Sequence, residues 1–240
     1  MRKKQFTLGF LLFLLLQNSI VAKAYDWEKF TATKEQNLLV NEVVESLQSN
    51  HFIKRDYIDI KDEASKLYIE RLDPNKTIFL SRELVGFEEE IRKSNEIDHG
   101  LQQAFLVFKK YRERYLDRYN FQLNFLNEVA KKDLQTNKLL LRDRSDAIRL
   151  ASISELKSLW KDLIINDLIQ LRLSKNSLEE SRNKVIKRID NQLNYFNQTD
   201  SEDVFDIYVN SLSSIYGPHT AYMSPKSTED FDINMSLSLE

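Results

Sequence analysis

The sequence predicts an all-α fold, an irregular multi-helix domain, and three observations carry that expectation. Only four glycines and three prolines occur in 240 residues. A sandwich, barrel or doubly wound sheet needs many tight turns, and turns with positive φ need glycine. Apolar residues recur at spacings of three and four along most of the chain. Three Ser/Thr-x-x-Glu boxes follow one another, each opening an apolar stripe of helical period. The same composition removes phosphate-binding glycine loops, since neither GxGxxG nor GxxxxGK[ST] occurs. The absence of cysteine removes thiolate nucleophiles, disulfides and cysteine metal sites.

The first element is an address. Arg2, Lys3 and Lys4 precede the apolar run Phe6 to Leu16, and Ala22-Lys23-Ala24 supplies small residues two apart. This is the pattern of a secretory signal peptide over residues 1–24. The competing reading is an uncleaved membrane anchor, but the run falls short of the ~20 residues that span a bilayer. Without cysteine there is no lipoprotein acylation site. Cleavage after Ala24 removes four basic residues and no acidic one, which takes 35 basic and 37 acidic residues to a formal charge of −6. A nucleic-acid partner is therefore not expected, because such binders carry a basic footprint.

The mature chain then reads as a succession of helices. Lys34 to Ser49 carries Leu38, Leu39, Val43, Val44 and Leu47 on one face. Lys61 to Leu72 is the second, stopped by Asp73-Pro74. Ser81 is expected to cap the third, with Leu84, Phe87 and Ile91 facing inward. Leu101 to Lys132 is one long helix, and residues 133–151 are a polar connection. The boxes Ser152/Glu155, Ser177/Glu180 and Thr199/Glu202 start the last three helices, the first of them carrying Trp160 in its apolar stripe. Gly217-Pro218-His219-Thr220 ends the last helix. Met235-Ser236-Leu237-Ser238-Leu239 alternates apolar and polar, the period of a half-buried strand, and is expected to lead into a following β-containing domain.

Candidate chemistry is sparse. His51, His99 and His219 are scattered, and no spaced ligand set suggests a metal. No serine lies in a GxSxG elbow, and most serines sit at helix starts. Glu88-Glu89-Glu90 and Glu179-Glu180 have basic neighbours and read as solvated faces. Tyr111, Tyr115, Tyr119, Phe121 and Phe125, interleaved with Arg112, Arg114 and Arg118, could stack single-stranded nucleic acid. Export and the acid excess favour a helix core with snorkelling arginines instead. Catalytic, cofactor-binding and metal residues are all expected to be absent.

Asn197 to Phe205, Gly217 to Pro225 and Asn234 to Glu240 together resemble the bacterial tail-specific proteases, periplasmic C-terminal processing serine peptidases whose pattern before the PDZ domain runs NSEDVF, DPHTxYLSP and MSLSLEGIG. Arg71 to Leu80 resembles their early LDPxxxxFL element, and Leu159-Trp160 and the basic-aromatic helix also fit. Gly217 stands where the family usually has Asp, which puts in doubt any role of that carboxylate in pinning the turn. The resemblance implies a helical domain over 25–226, and over 227–240 a junction with the first strand residues toward a PDZ domain. It implies a Ser–Lys dyad later in the intact protein, beyond Glu240, so that this chain alone is inactive. Implied partners are the chain's own PDZ and protease domains, protein substrates with apolar C-termini, and an adaptor. The domain would hold the other parts in register, wall off folded proteins, or dock that adaptor. The alternative is a free-standing secreted helical binding or chaperone-like protein.

Overall fold

Local signals set most helix starts. Thr33 Oγ1 accepts from Gln36 N–H at 3.1 Å while Gln36 Oε1 accepts from Thr33 N–H at 3.0 Å, a reciprocal capping box. It opens α1 (Lys34–Asn50) in a computed structural model that describes residues 29–224, with 228–229, 233 and 235–236. The expected signal peptide lies outside the described residues. After α1 come α2 (Tyr57–Leu72), α3 (Ser81–Arg92), α4 (Ile97–Glu128), a 3-10 turn (Lys131–Leu134), α5 (Ile153–Leu173), α6 (Leu178–Phe196) and α7 (Ser201–Ser213). The all-α expectation holds: among the described residues there are seven α-helices and no strand. No helix among them is long and apolar enough to cross a membrane.

The capping expectations fare unevenly. The boxes at Ser152/Glu155 and Ser177/Glu180 form as expected. The third is displaced by one residue. Asp200, not Thr199, is the cap: its Oδ1 accepts from Glu202 and Asp203 N–H, and Asp203 Oδ2 accepts from Asp200 N–H. An ionised carboxylate complements the helix N-terminus better than a hydroxyl does. Ser81 is likewise the first residue inside α3 rather than its cap; Glu83 reaches back to accept from Leu80 N–H. Helix α2 begins at Tyr57, a full turn earlier than expected. The inward face of α1 is also rotated, with Val40 and Val44 fully buried and Leu38 exposed.

Helix α4 is the spine. Its 32 residues span about 48 Å. Its N-terminal half enters the main core with α1, α2 and α7, through Leu101, Phe105 and Phe108 against Val44, Tyr68, Phe205 and Leu212. Its C-terminal half shares a second core with α5 and α6, where Leu126 and Val129 meet Ile164, Leu168, Val185 and Ile189. Gly100 permits the first association. A Cβ there would lie 2.0 Å from the Tyr57 hydroxyl and 2.5 Å from that of Tyr208.

Between the cores, Trp160 is fully buried with Leu80 and Leu156, and its Nε1 donates to Thr77 O at 2.8 Å. The expectation that it anchors a core holds. The connection 135–151 is irregular, yet tied down: Ser81 N–H donates to Leu150 O, and Arg149 pairs with Asp73. At the chain's end the expected strand lies mostly outside the described residues. Met235 and Ser236 are helical, with Ser236 Oγ donating to Ile233 O at 2.7 Å. Leu237 to Leu239 lie outside the described residues.

Candidate functional site

Three of the expected sequence features turn out to be structural. Asp73, of the LDP element, is 2% exposed. Its carboxylate accepts from the backbone N–H of Thr77, Ile78 and Phe79 at 2.8–3.1 Å and pairs with Arg149. Pro74 follows, and Lys76 takes positive φ (53°) to close the turn. The acidic groups also resolve into local roles: Glu88 pairs with Arg92, Glu90 with Lys93, and Glu180 caps α6. The histidines do not converge. His51 Nε2 contacts Thr220 Oγ1 at 3.0 Å, His99 Nε2 contacts Glu90 O at 2.8 Å, and His219 is exposed. Among the described residues no His, Cys, Asp or Glu cluster could hold a metal ion.

The segment after α7 folds back on that helix. Asn210 makes a paired contact with Tyr222, donating to its carbonyl at 3.1 Å and accepting from its N–H at 2.9 Å. Tyr222 lies edge-on to Phe205, with ring centroids 5.7 Å apart. Gly217 O accepts from Thr220 N–H at 3.0 Å, and Thr220 meets His51. The turn is thus held by Thr220, His51 and Asn210 with glycine at 217. Ser224 is buried beside Asp206, whose carboxyl is pushed up to about 6. Burial is the main cause and Glu202 the next; the hydrogen bond from Ser224 opposes them, and Asp203 and Asp200 add to them.

The aromatic-basic face of α4 divides into two parts. Arg112 and Arg114 are buried, at 7% and 6% exposure, rather than snorkelling to water. Arg112 sits over the rings of Phe30 and Phe196 and donates to Asn197 Oδ1. Arg114 donates to Glu83 Oε1 at 2.7 Å. A guanidinium enters a core when such partners replace its water. Tyr111, Tyr115, Arg118, Tyr119 and Gln122 instead face α6 across a groove of about 790 Å³.

Its floor is aromatic. Tyr115 stacks on Phe196 at 4.2 Å and 20°, and Tyr111 meets the same ring edge-on at 5.8 Å. Tyr119 Oη donates to Asp190 Oδ1 at 3.0 Å and ties the two helices together. The far wall is α6, with Lys184, Lys187, Arg188, Asn191 and Tyr195. The sequence reading singled out the α4 tyrosines but assigned them to a helix core, and it did not single out the α6 side. The signal was present as an exposed stripe at positions 184, 187, 188, 191 and 195, opposite the buried Val185 and Ile189. Nothing in the sequence says that this stripe faces α4.

This geometry offers binding surfaces, the groove between α4 and α6 foremost. Comparison with known proteins agrees with the earlier resemblance. Residues 43–226 match the family described as the tail specific protease N-terminal domain. The chain is similar to the tail-specific protease of Haemophilus influenzae, at 28% identity over 217 residues. That match covers 87% of this chain and 30% of the relative, so the chain spans about a third of that protein's length. With 184 of its residues inside the family match, this chain belongs to the tail specific protease N-terminal domain family.

Proposed function

We propose that this domain is the non-catalytic platform of an exported, periplasmic C-terminal processing serine endopeptidase. On this reading it holds the PDZ and protease parts in register and docks a protein, substrate or adaptor. The substrates are proteins with apolar C-termini, which a PDZ module captures as an added strand. The observation that carries the reading is the clamp of residues 217–224 onto α7. The segment resembling the family pattern before the PDZ domain is bonded to the helical body through Asn210–Tyr222 and His51–Thr220. A chain bonded in this way leaves the body from a defined place, as a platform for a following domain requires. The test is twofold. The reading frame after codon 240 should continue into a PDZ-like run, and the purified chain should not cleave an unfolded protein with an apolar C-terminus. A stop codon there in several isolates would favour a free-standing helical binding protein. Cleavage by the chain alone, abolished by a point substitution within it, would contradict the platform role.

A further inference from the structure

The groove between α4 and α6 differs from the rest of the molecule in charge. The chain as a whole has more acidic than basic residues. Yet Arg118, Lys184, Lys187 and Arg188 line the groove, and no Asp or Glu does. Two of these cations already have partners: Arg188 pairs with Asp167 and Lys184 donates to Asn176 Oδ1. Arg118 is different. It is partly buried at the floor and, among the described residues, joins no ion pair within 4.0 Å; its Nη1 donates to the neutral hydroxyl of Thr77 at 3.0 Å. Burial lowers its pKa, although the charges of Tyr115, Tyr111, Asp73 and Asp167 raise it. A guanidinium has five N–H donors, and a partly desolvated cation whose nearest carboxylates, Asp73 and Asp167, act on it only through space is costly. An incoming carboxylate would relieve that cost. Tyr195, 78% exposed on the rim, and Tyr115 on the floor add flat apolar surface beside the cations.

We propose that this groove binds an acidic peptide segment of a protein partner, with its carboxylates on Arg118, Lys184 and Lys187 and an apolar or aromatic side chain against Tyr115 and Tyr195. The inference deepens the docking reading and rests on it. A peptide suits the groove better than a nucleic acid does. Arg112 and Arg114, which would extend a phosphate track along α4, are buried and bonded elsewhere. One face of the Tyr115 ring is already taken by Phe196.

The probe is a fluorescein-labelled hexapeptide, Glu-Glu-Asp-Tyr-Asp-Glu, titrated with the whole chain at low ionic strength and followed by anisotropy. Binding should be saturable and should weaken as salt is added. Lys184→Glu with Lys187→Glu should weaken it at least about tenfold, as expected when like charges are juxtaposed. Both lysines are exposed, and an unchanged melting temperature would show that the fold is kept. Tyr195→Ala is a second variant, uncharged and also exposed, and should weaken binding too. Lys66→Glu, on the exposed face of α2, should leave it unchanged. Equal binding of the Lys-for-Asp/Glu counterpart peptide, or unchanged affinity in both groove variants, would overturn the proposal. Tighter binding of oligothymidylate than of the acidic peptide would overturn it in favour of a nucleic-acid site. If the groove variants bind normally while the chain still supports cleavage by the downstream protease part, the groove assignment alone falls. If the chain gives no such support, the docking reading falls as well.

Discussion

Asp73 fixes one loop of this fold through a single side chain. Its carboxylate satisfies three backbone N–H groups and one guanidinium in a place that water does not reach. Asp73→Ala should therefore destabilise the domain by about 3–5 kcal/mol, the cost of leaving one partner of a buried pair unmatched; urea unfolding would measure it. Trp160→Ala removes the filling of the small core between the main ones and should cost ~3–5 kcal/mol; an unchanged melting temperature would contradict that placement. Asp206 gives the pH dependence. Its folded pKa of about 6 lies above the ~3.9 of an unfolded aspartate. The stability it contributes is complete below the unfolded value and is lost as pH rises through about 6. Asp206→Asn should flatten the melting-temperature profile between these two values and raise the melting temperature at neutral pH. A wild-type profile that rises across the window and is unaffected by the substitution would contradict the assignment.

At the scale of elements, helix existence was legible and helix ends were less so. The stripes of α3, α5, α6 and α7 are the observed buried faces, because apolar spacing and burial are two views of one constraint. Ends depend on competition between neighbouring caps, and Asp200 displaced Thr199 for an electrostatic reason that spacing alone does not contain. The early start of α2 was hidden for another reason. Lys61, which looked like a helix start, is a buried residue donating to Ile91 O, Ser94 O and Asn95 Oδ1, and so closes the end of α3. That role exists only after α2 and α3 have packed. Gly100 is of the same kind. Helix propensity favours alanine at this position by ~1 kcal/mol, yet the Tyr57 and Tyr208 hydroxyls occupy the space of its Cβ. Gly100→Ala should destabilise by roughly 1–3 kcal/mol as an overpacked contact. A stabilised variant in thermal unfolding would show that the two tyrosines yield easily.

For the whole molecule, α4 joins two cores into one platform. One end of it lies with α7 and the clamped tail; the other lies with α6 and the basic groove. The α4 side of that groove was visible in the sequence as Tyr111, Tyr115, Arg118 and Tyr119, although their pattern suggested a helix core. The α6 side was not, since a charged stripe on α6 looks like any solvated face until its neighbour is known. The platform role is tested most directly by reconstitution. The purified chain is mixed with the separately expressed downstream protease part, and cleavage of an unfolded substrate with an apolar C-terminus is followed. Neither part alone should reach the rate of the mixture, and Tyr222→Ala with Asn210→Ala, which loosens the tail clamp, should lower the rate gained on mixing. Full-rate cleavage by the downstream part without this chain would contradict the account.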